Sequence, residues 1–180
     1  QIDFLKKHIN IWNSFPCFIK KYFVFFVIDD CSKINALEIL KDIDLSKLDI
    51  HIFRVTQDLY CNISGVRNLG AQQCFTKWMV ILDMDTIINS ELAIEMIKLA
   101  SDNNNSIVYK FNRIVVGDKS HKKNNTIHPA ICLIRKKDYW NIGGCEEKLV
   151  GNYGQTDPIF WYRSIGKIKI IEKCNLFLIY

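Results

Sequence analysis

No apolar run in this 180-residue chain is long enough to cross a bilayer. The longest, Tyr22 to Ile28 and Leu176 to Tyr180, fall far short of the roughly 20 residues that a membrane-spanning helix needs. No Cys-x-x-Cys spacing occurs. The seven cysteines, Cys17, Cys31, Cys61, Cys74, Cys132, Cys145 and Cys174, are odd in number and scattered, which excludes a disulfide framework and a zinc site and points to a reducing, cytoplasmic compartment. There is no internal repeat, and no basic helix or aromatic-basic interleaving that would suit nucleic acid. The charge is also sparse: +5 net, with Lys and Arg spread along the chain apart from short clusters at Lys6-Lys7, Lys20-Lys21, Lys122-Lys123 and Arg135-Lys136-Lys137. That balance is compatible with a phosphate-bearing ligand. The sequence opens on Gln1 without a charged leader, which reads as a trimmed start.

With 49% hydrophobic and 24% charged residues, the composition is that of a folding globular chain rather than a disordered one. The length suits one domain with a single sizeable core. Ile2, Leu5, Ile9 and Trp12 recur at helical spacing up to Pro16, so a helix with one buried face is expected there. Tyr22 to Ile28 reads as a strand covered on both faces, stopping at Asp29-Asp30. A helix over Ala36 to Ile43, a strand over Ile50 to Val55, a helix over Val66 to Phe75 and a strand at Val80 to Leu82 follow, the last stopping again at acids. Asn89 or Ser90 caps the next helix, and Ile107 to Arg113 and Ala130 to Ile134 are further strands. Val116 to Thr126 is polar and reads as an exposed loop. The alternation predicts an α/β fold with a mostly parallel central sheet flanked by helices, its ligand lying beyond the carboxyl ends of the strands.

At one of those ends Trp78-Met-Val-Ile-Leu-Asp-Met-Asp-Thr delivers Asp83 and Asp85, one residue apart. Two carboxylates facing one pocket suit a hard, oxygen-seeking cation, magnesium or manganese, whose remaining positions diphosphate oxygens and water would fill. Loop acids at a strand end also serve as ordinary turn residues. The second acidic stop at Asp29-Asp30 favours the cation, because clustered carboxylates without one would repel.

Four blocks together resemble the glycosyltransferases of the GT-A (Rossmann-like) fold, near the inverting family-two enzymes and the galactosyltransferase-like group. They are Phe26-Val-Ile-Asp-Asp-Cys-Ser, Gly65-Val-Arg-Asn-Leu-Gly-Ala, Ile81-Leu-Asp-Met-Asp, and Tyr139-Trp-Asn-Ile-Gly-Gly-Cys-Glu-Glu followed by Gly151-Asn-Tyr-Gly-Gln-Thr-Asp. Their order and spacing hold over roughly residues 20 to 165. The resemblance implies transfer of a sugar from a nucleoside-diphosphate sugar, UDP being the expected nucleotide, to a glycan, lipid or protein hydroxyl, with inversion. Membrane association would come only through the acceptor. It implies that Asp29 or Asp30 contacts the base, Arg67 the base or phosphates, Asp83 and Asp85 the metal and ribose, and that Asp157 is the general base. His128, ahead of Pro129 and a strand, is a candidate for the diphosphate or the metal shell, and Glu146 and Glu147 stand where the family has Asp-Glu.

Two departures matter. The family's first strand, which precedes the opening helix, is absent from residues 1–180, so one domain lacking that strand is expected. Where many relatives carry Glu-Asp, this chain has Thr156-Asp157; an acid followed by Pro158 is also a good helix start. A phosphatase of the Asp-x-Asp type is excluded by motif order. A nucleotide- or sugar-binding module of the same fold without turnover is the second reading.

Overall fold

The computed structural model describes residues 2–102, 105–117 and 126–179. Helix α1 spans Ile2–Ser14, and its buried stripe is Leu5, His8, Ile9 and Trp12. The short helix α2 (Cys17–Lys20) follows Pro16. Strand β1 runs Phe25–Asp30, α3 Ala36–Leu40, β2 Ile50–Val55, α4 Ile63–Gln73 and β3 Trp78–Ile81. Next come α5 (Ser90–Asp102), β4 (Ile107–Ile114), β5 (Thr126–Arg135), α6 (Lys136–Ile142), α7 (Thr156–Ser164) and β6 (Lys169–Ile179). Asn89 is the residue that caps α5, its side-chain oxygen accepting from the Leu92 amide at 2.9 Å. Most of the loop expected over Val116 to Thr126 lies outside the described residues.

Among the described residues strand β1 pairs only with β2, in parallel, while the remaining strands form a sheet in the order β3-β5-β4-β6. Strand β5 is antiparallel to both β3 and β4, and β4 is parallel to β6. The α/β class with helices on both faces holds, with two of the four pairings parallel.

The period-2 alternation of side chains sorts the two faces of the sheet. Ile107, Tyr109 and Phe111 of β4 and Ile131 and Leu133 of β5 join the core beneath α1, α2, α3 and α5. Val108, Cys132 and Ile134 point the other way and pack with Ala71 of α4, Tyr139 and Ile142 of α6 and Phe160 of α7. Between β1 and β3 runs a groove of about 440 Å³, lined on its flanks by Tyr22 to Ile28 and Trp78 to Met84. Among the described residues no helix is long and apolar enough to cross a membrane.

Candidate active site

Alternation along β1 sends its two terminal acids to opposite faces. Asp29 shares the buried phase of Phe25 and Val27. Its Oδ1 accepts from the Ser32 amide at 2.8 Å, and its Oδ2 from the Ala36 amide at 3.1 Å and from Arg54 at 2.6 Å. Burial pushes this carboxyl up, but the hydrogen bonds from Ser32 and Ala36 and the Arg54 charge outweigh it, so its pKa lies below the ordinary carboxylate value. Asp29 therefore holds the turn into α3 through hydrogen bonds to both of its oxygens. Asp30 faces α4 instead, where Asn62 donates to it at 3.1 Å. Gly65 is required beside Asn62, since a Cβ there would stand 2.2 Å from the Asn62 side-chain oxygen.

One turn further along α4, Arg67 joins two distant carboxylates. It donates through Nη1 to Asp157 at 2.6 Å and through Nη2 to Asp83 at 2.8 Å. Burial works against the guanidinium charge, and the two carboxylates outweigh it, leaving the pKa above the usual arginine range. Asp157 lies in the first turn of α7, which starts at Thr156 behind Gln155, a residue at φ 61° with no side-chain cap bond. Its carboxylate is thus turned to Arg67 rather than used as a helix cap.

Beyond β3 the Thr86 amide donates to the Asp83 carbonyl at 3.1 Å and closes the turn that carries both acids. The Thr86 hydroxyl lies 3.4 Å from Asp85. Ile87 then bridges Ile179 of β6, which pins the turn to the sheet. Among the described residues no group of three or more His, Cys, Asp or Glu side chains encloses a metal position. Two carboxylates on one turn, with Asp83 already drawing a cation in the form of Arg67, are the donor set that magnesium or manganese takes when phosphates and water complete the shell. The residues fit such an ion.

His128 is buried on β5, and the charges of Asp83, Arg113, Asp85 and Asp157 all act on its ring; burial chiefly pushes its pKa down. Its Nδ1 accepts from the amides of Ala130 and Ile131, each at 3.2 Å. In the neutral ring that places the proton on Nε2. Nδ1 is therefore engaged within the strand that carries it.

The Gly-Gly block is structural. Gly143 at φ 108° ends α6, and Gly144 at φ 64° leaves room for Asn68, whose side-chain oxygen would stand 2.8 Å from a Cβ. Glu147 accepts from Asn68 at 2.7 Å and Glu146 pairs with Arg163. Burial pushes the Cys132 thiol up to about 12, which removes it as a nucleophile. One residue that no motif announced is Lys110 of β4. It lies 4.4 Å over the Trp161 ring, and its charge acts on Asp157.

A sheet with helices on both faces and acids gathered beyond the strand ends is the arrangement of the GT-A glycosyltransferases. The residues 19–169 match the model of glycosyl transferase family 2, and the chain belongs to that family. No curated protein sequence matches it. The S. aureus TarS 1–349 structure in complex with UDP superposes with a TM-score of 0.73 at 17% identity, over 98% of this chain and 57% of that one. The mannosyltransferase PcManGT from Pyrobaculum calidifontis, in complex with GDP-Man and Mn2+, gives 0.71 at 9% identity over 100% and 53%. GalNAc-T7 with UDP, GalNAc and Mn2+ gives 0.67 at 14% over 87% and 38%. The chain thus spans little more than half the length of the first two.

Proposed function

We propose that the chain is the donor-binding and catalytic core of a metal-dependent glycosyltransferase that moves a sugar from a nucleoside-diphosphate sugar to a hydroxyl acceptor with inversion. The observation that carries this is the Arg67 bridge, which sets Asp83 at the end of β3 and Asp157 at the head of α7 on one guanidinium. UDP is the favoured nucleotide, in keeping with the TarS and GalNAc-T7 complexes.

In this reading Asp83 and Asp85 hold magnesium or manganese, which supplies the charge that offsets the diphosphate leaving group. Asp30, steadied by Asn62, faces the nucleoside. His128, whose ring feels the charges of Asp83 and Asp85, stands at the diphosphate or the metal shell. Asp157 is held through Oδ1 by Arg67, so Oδ2 takes the proton of the acceptor hydroxyl. The acceptor oxygen bonds to the anomeric carbon from the side opposite the nucleotide, and the electron pair of the breaking C–O bond leaves with the diphosphate. A general base contributes about 10²- to 10⁴-fold. Asp157→Asn should lower transfer by that order while donor affinity persists, and the wild-type product should have inverted anomeric configuration by NMR. Retention, or an Asp157→Asn variant with full turnover, would remove Asp157 from this role.

The domain is read as one GT-A unit short of a strand. The groove between β1 and β3 supports this: among the described residues β1 pairs only with β2 and β3 only with β5, and an extended apolar segment lying between them would join the two sheets.

A further inference from the structure

Every residue in the buried stripe of α1 is apolar except His8, which is 2% exposed. A Leu or Phe at that position would pack equally well against Trp12, whose ring lies 5.2 Å from the imidazole, so packing alone does not call for a histidine. Its polar partner does. The Nε2 atom lies 2.8 Å from the backbone oxygen of Met84, the residue between Asp83 and Asp85. A carbonyl oxygen only accepts, so Nε2 carries the hydrogen.

We infer that His8 is a positioning residue for the cation turn, its N–H on the Met84 carbonyl fixing the peptide that leads into Asp85. The inference rests on the reading of Asp83 and Asp85 as cation ligands. The Met84 carbonyl belongs to the peptide group joining Met84 to Asp85, so holding it sets the plane of that peptide and, through it, the direction of the Asp85 side chain. The Thr86 amide on the Asp83 carbonyl fixes the turn from within. His8 fixes it from a helix 76 residues away in sequence, tying the turn to the α1 layer of the core. Outer partners that orient metal-binding carboxylates typically change metal affinity by about 10- to 100-fold when removed.

The test is the affinity for Mn2+ in the presence of UDP, read from the electron paramagnetic resonance signal of free Mn2+, for the 180-residue chain and its variants, alongside metal-free thermal melts. His8→Leu keeps the apolar stripe and loses the donor; it should weaken Mn2+ binding by about 10- to 100-fold while the metal-free melt changes little. His8→Gln, whose amide reaches the Nε2 position, should restore most of the affinity, and His8→Asn, too short to reach, should not. The Gln and Asn pair carries the test even if His8→Leu fails to fold. Wild-type affinity in His8→Leu, or equal affinities in His8→Gln and His8→Asn, overturns the positioning role alone. A wild-type chain that binds no Mn2+ beside UDP overturns the cation reading itself, and the role of His8 with it.

Discussion

A guanidinium that is only 13% exposed needs counter-charges to stay in the interior, and Arg67 has two, which are 33% and 28% exposed. Removing it strands both carboxylates beside one another. Arg67→Ala should therefore destabilise the fold by about 1–3 kcal/mol, below the usual loss for a broken buried pair because both acids are partly solvated. Adding Asp157→Asn to Arg67→Ala should recover part of that loss, since neutralising one of the two carboxylates removes their mutual repulsion. Urea unfolding measures both; an unchanged midpoint for Arg67→Ala would mean that the bridge contributes nothing. At this scale much of the site was legible. Asp83 and Asp85 were singled out by residue type and spacing, Arg67 and Asp157 by the resemblance of their blocks to the family, and the structure joins Arg67 to Asp83 and Asp157. The different partners of Asp29 and Asp30 follow from the strand period of two, which sends adjacent acids to opposite faces. The tautomer of His128 depends on two backbone amides of its own strand, which no motif encodes. His8 left one faint signal, a polar residue at an apolar position of a helical stripe.

Elements were legible where periodicity is strong and directionless where it is not. The strands β1 to β5 and helices α1, α4 and α5 fall near their expected positions, because continuous apolar runs and three-to-four spacing mark them directly. Strand β6 was not read as a strand: only one of its residues is fully buried, and charged Lys169, Glu172 and Lys173 interrupt its pattern. The antiparallel course of β5 was also invisible, since an apolar run carries no direction. What the elements leave open is the groove between β1 and β3. If it is an open slot for a strand, alternate amides of Phe25–Asp30 and Trp78–Ile81 should exchange with deuterium rapidly in the 180-residue chain, because a strand with one unpaired edge leaves half its amides to solvent. Slow exchange along the whole of both strands would mean that the sheets close on each other and no further strand is needed.

At the scale of the molecule, the β1-β2 pair and the four-stranded sheet both end in acids, and Arg67 of α4 links the acid of the turn after β3 to the acid at the head of α7. The family match over residues 19–169 places the chain among the glycosyl transferases of family 2, and the cation-dependent donor site proposed above is the reading that this layout supports. Donor and acceptor identity were not legible, because they depend on the shape of a pocket rather than on residue order. The central claim is tested most directly by thermal unfolding of the wild-type chain and of Asp83→Ala, with UDP, with Mn2+, and with both. UDP at about 100 times its Kd stabilises by about 2.7 kcal/mol through binding linkage, which for a domain of this size raises Tm by about 5–10 °C. The account expects that rise for the wild type only when UDP and Mn2+ are present together, and expects Asp83→Ala to lose it. An equal rise with UDP in the absence of Mn2+, or an Asp83→Ala variant that responds as the wild type does, would contradict it.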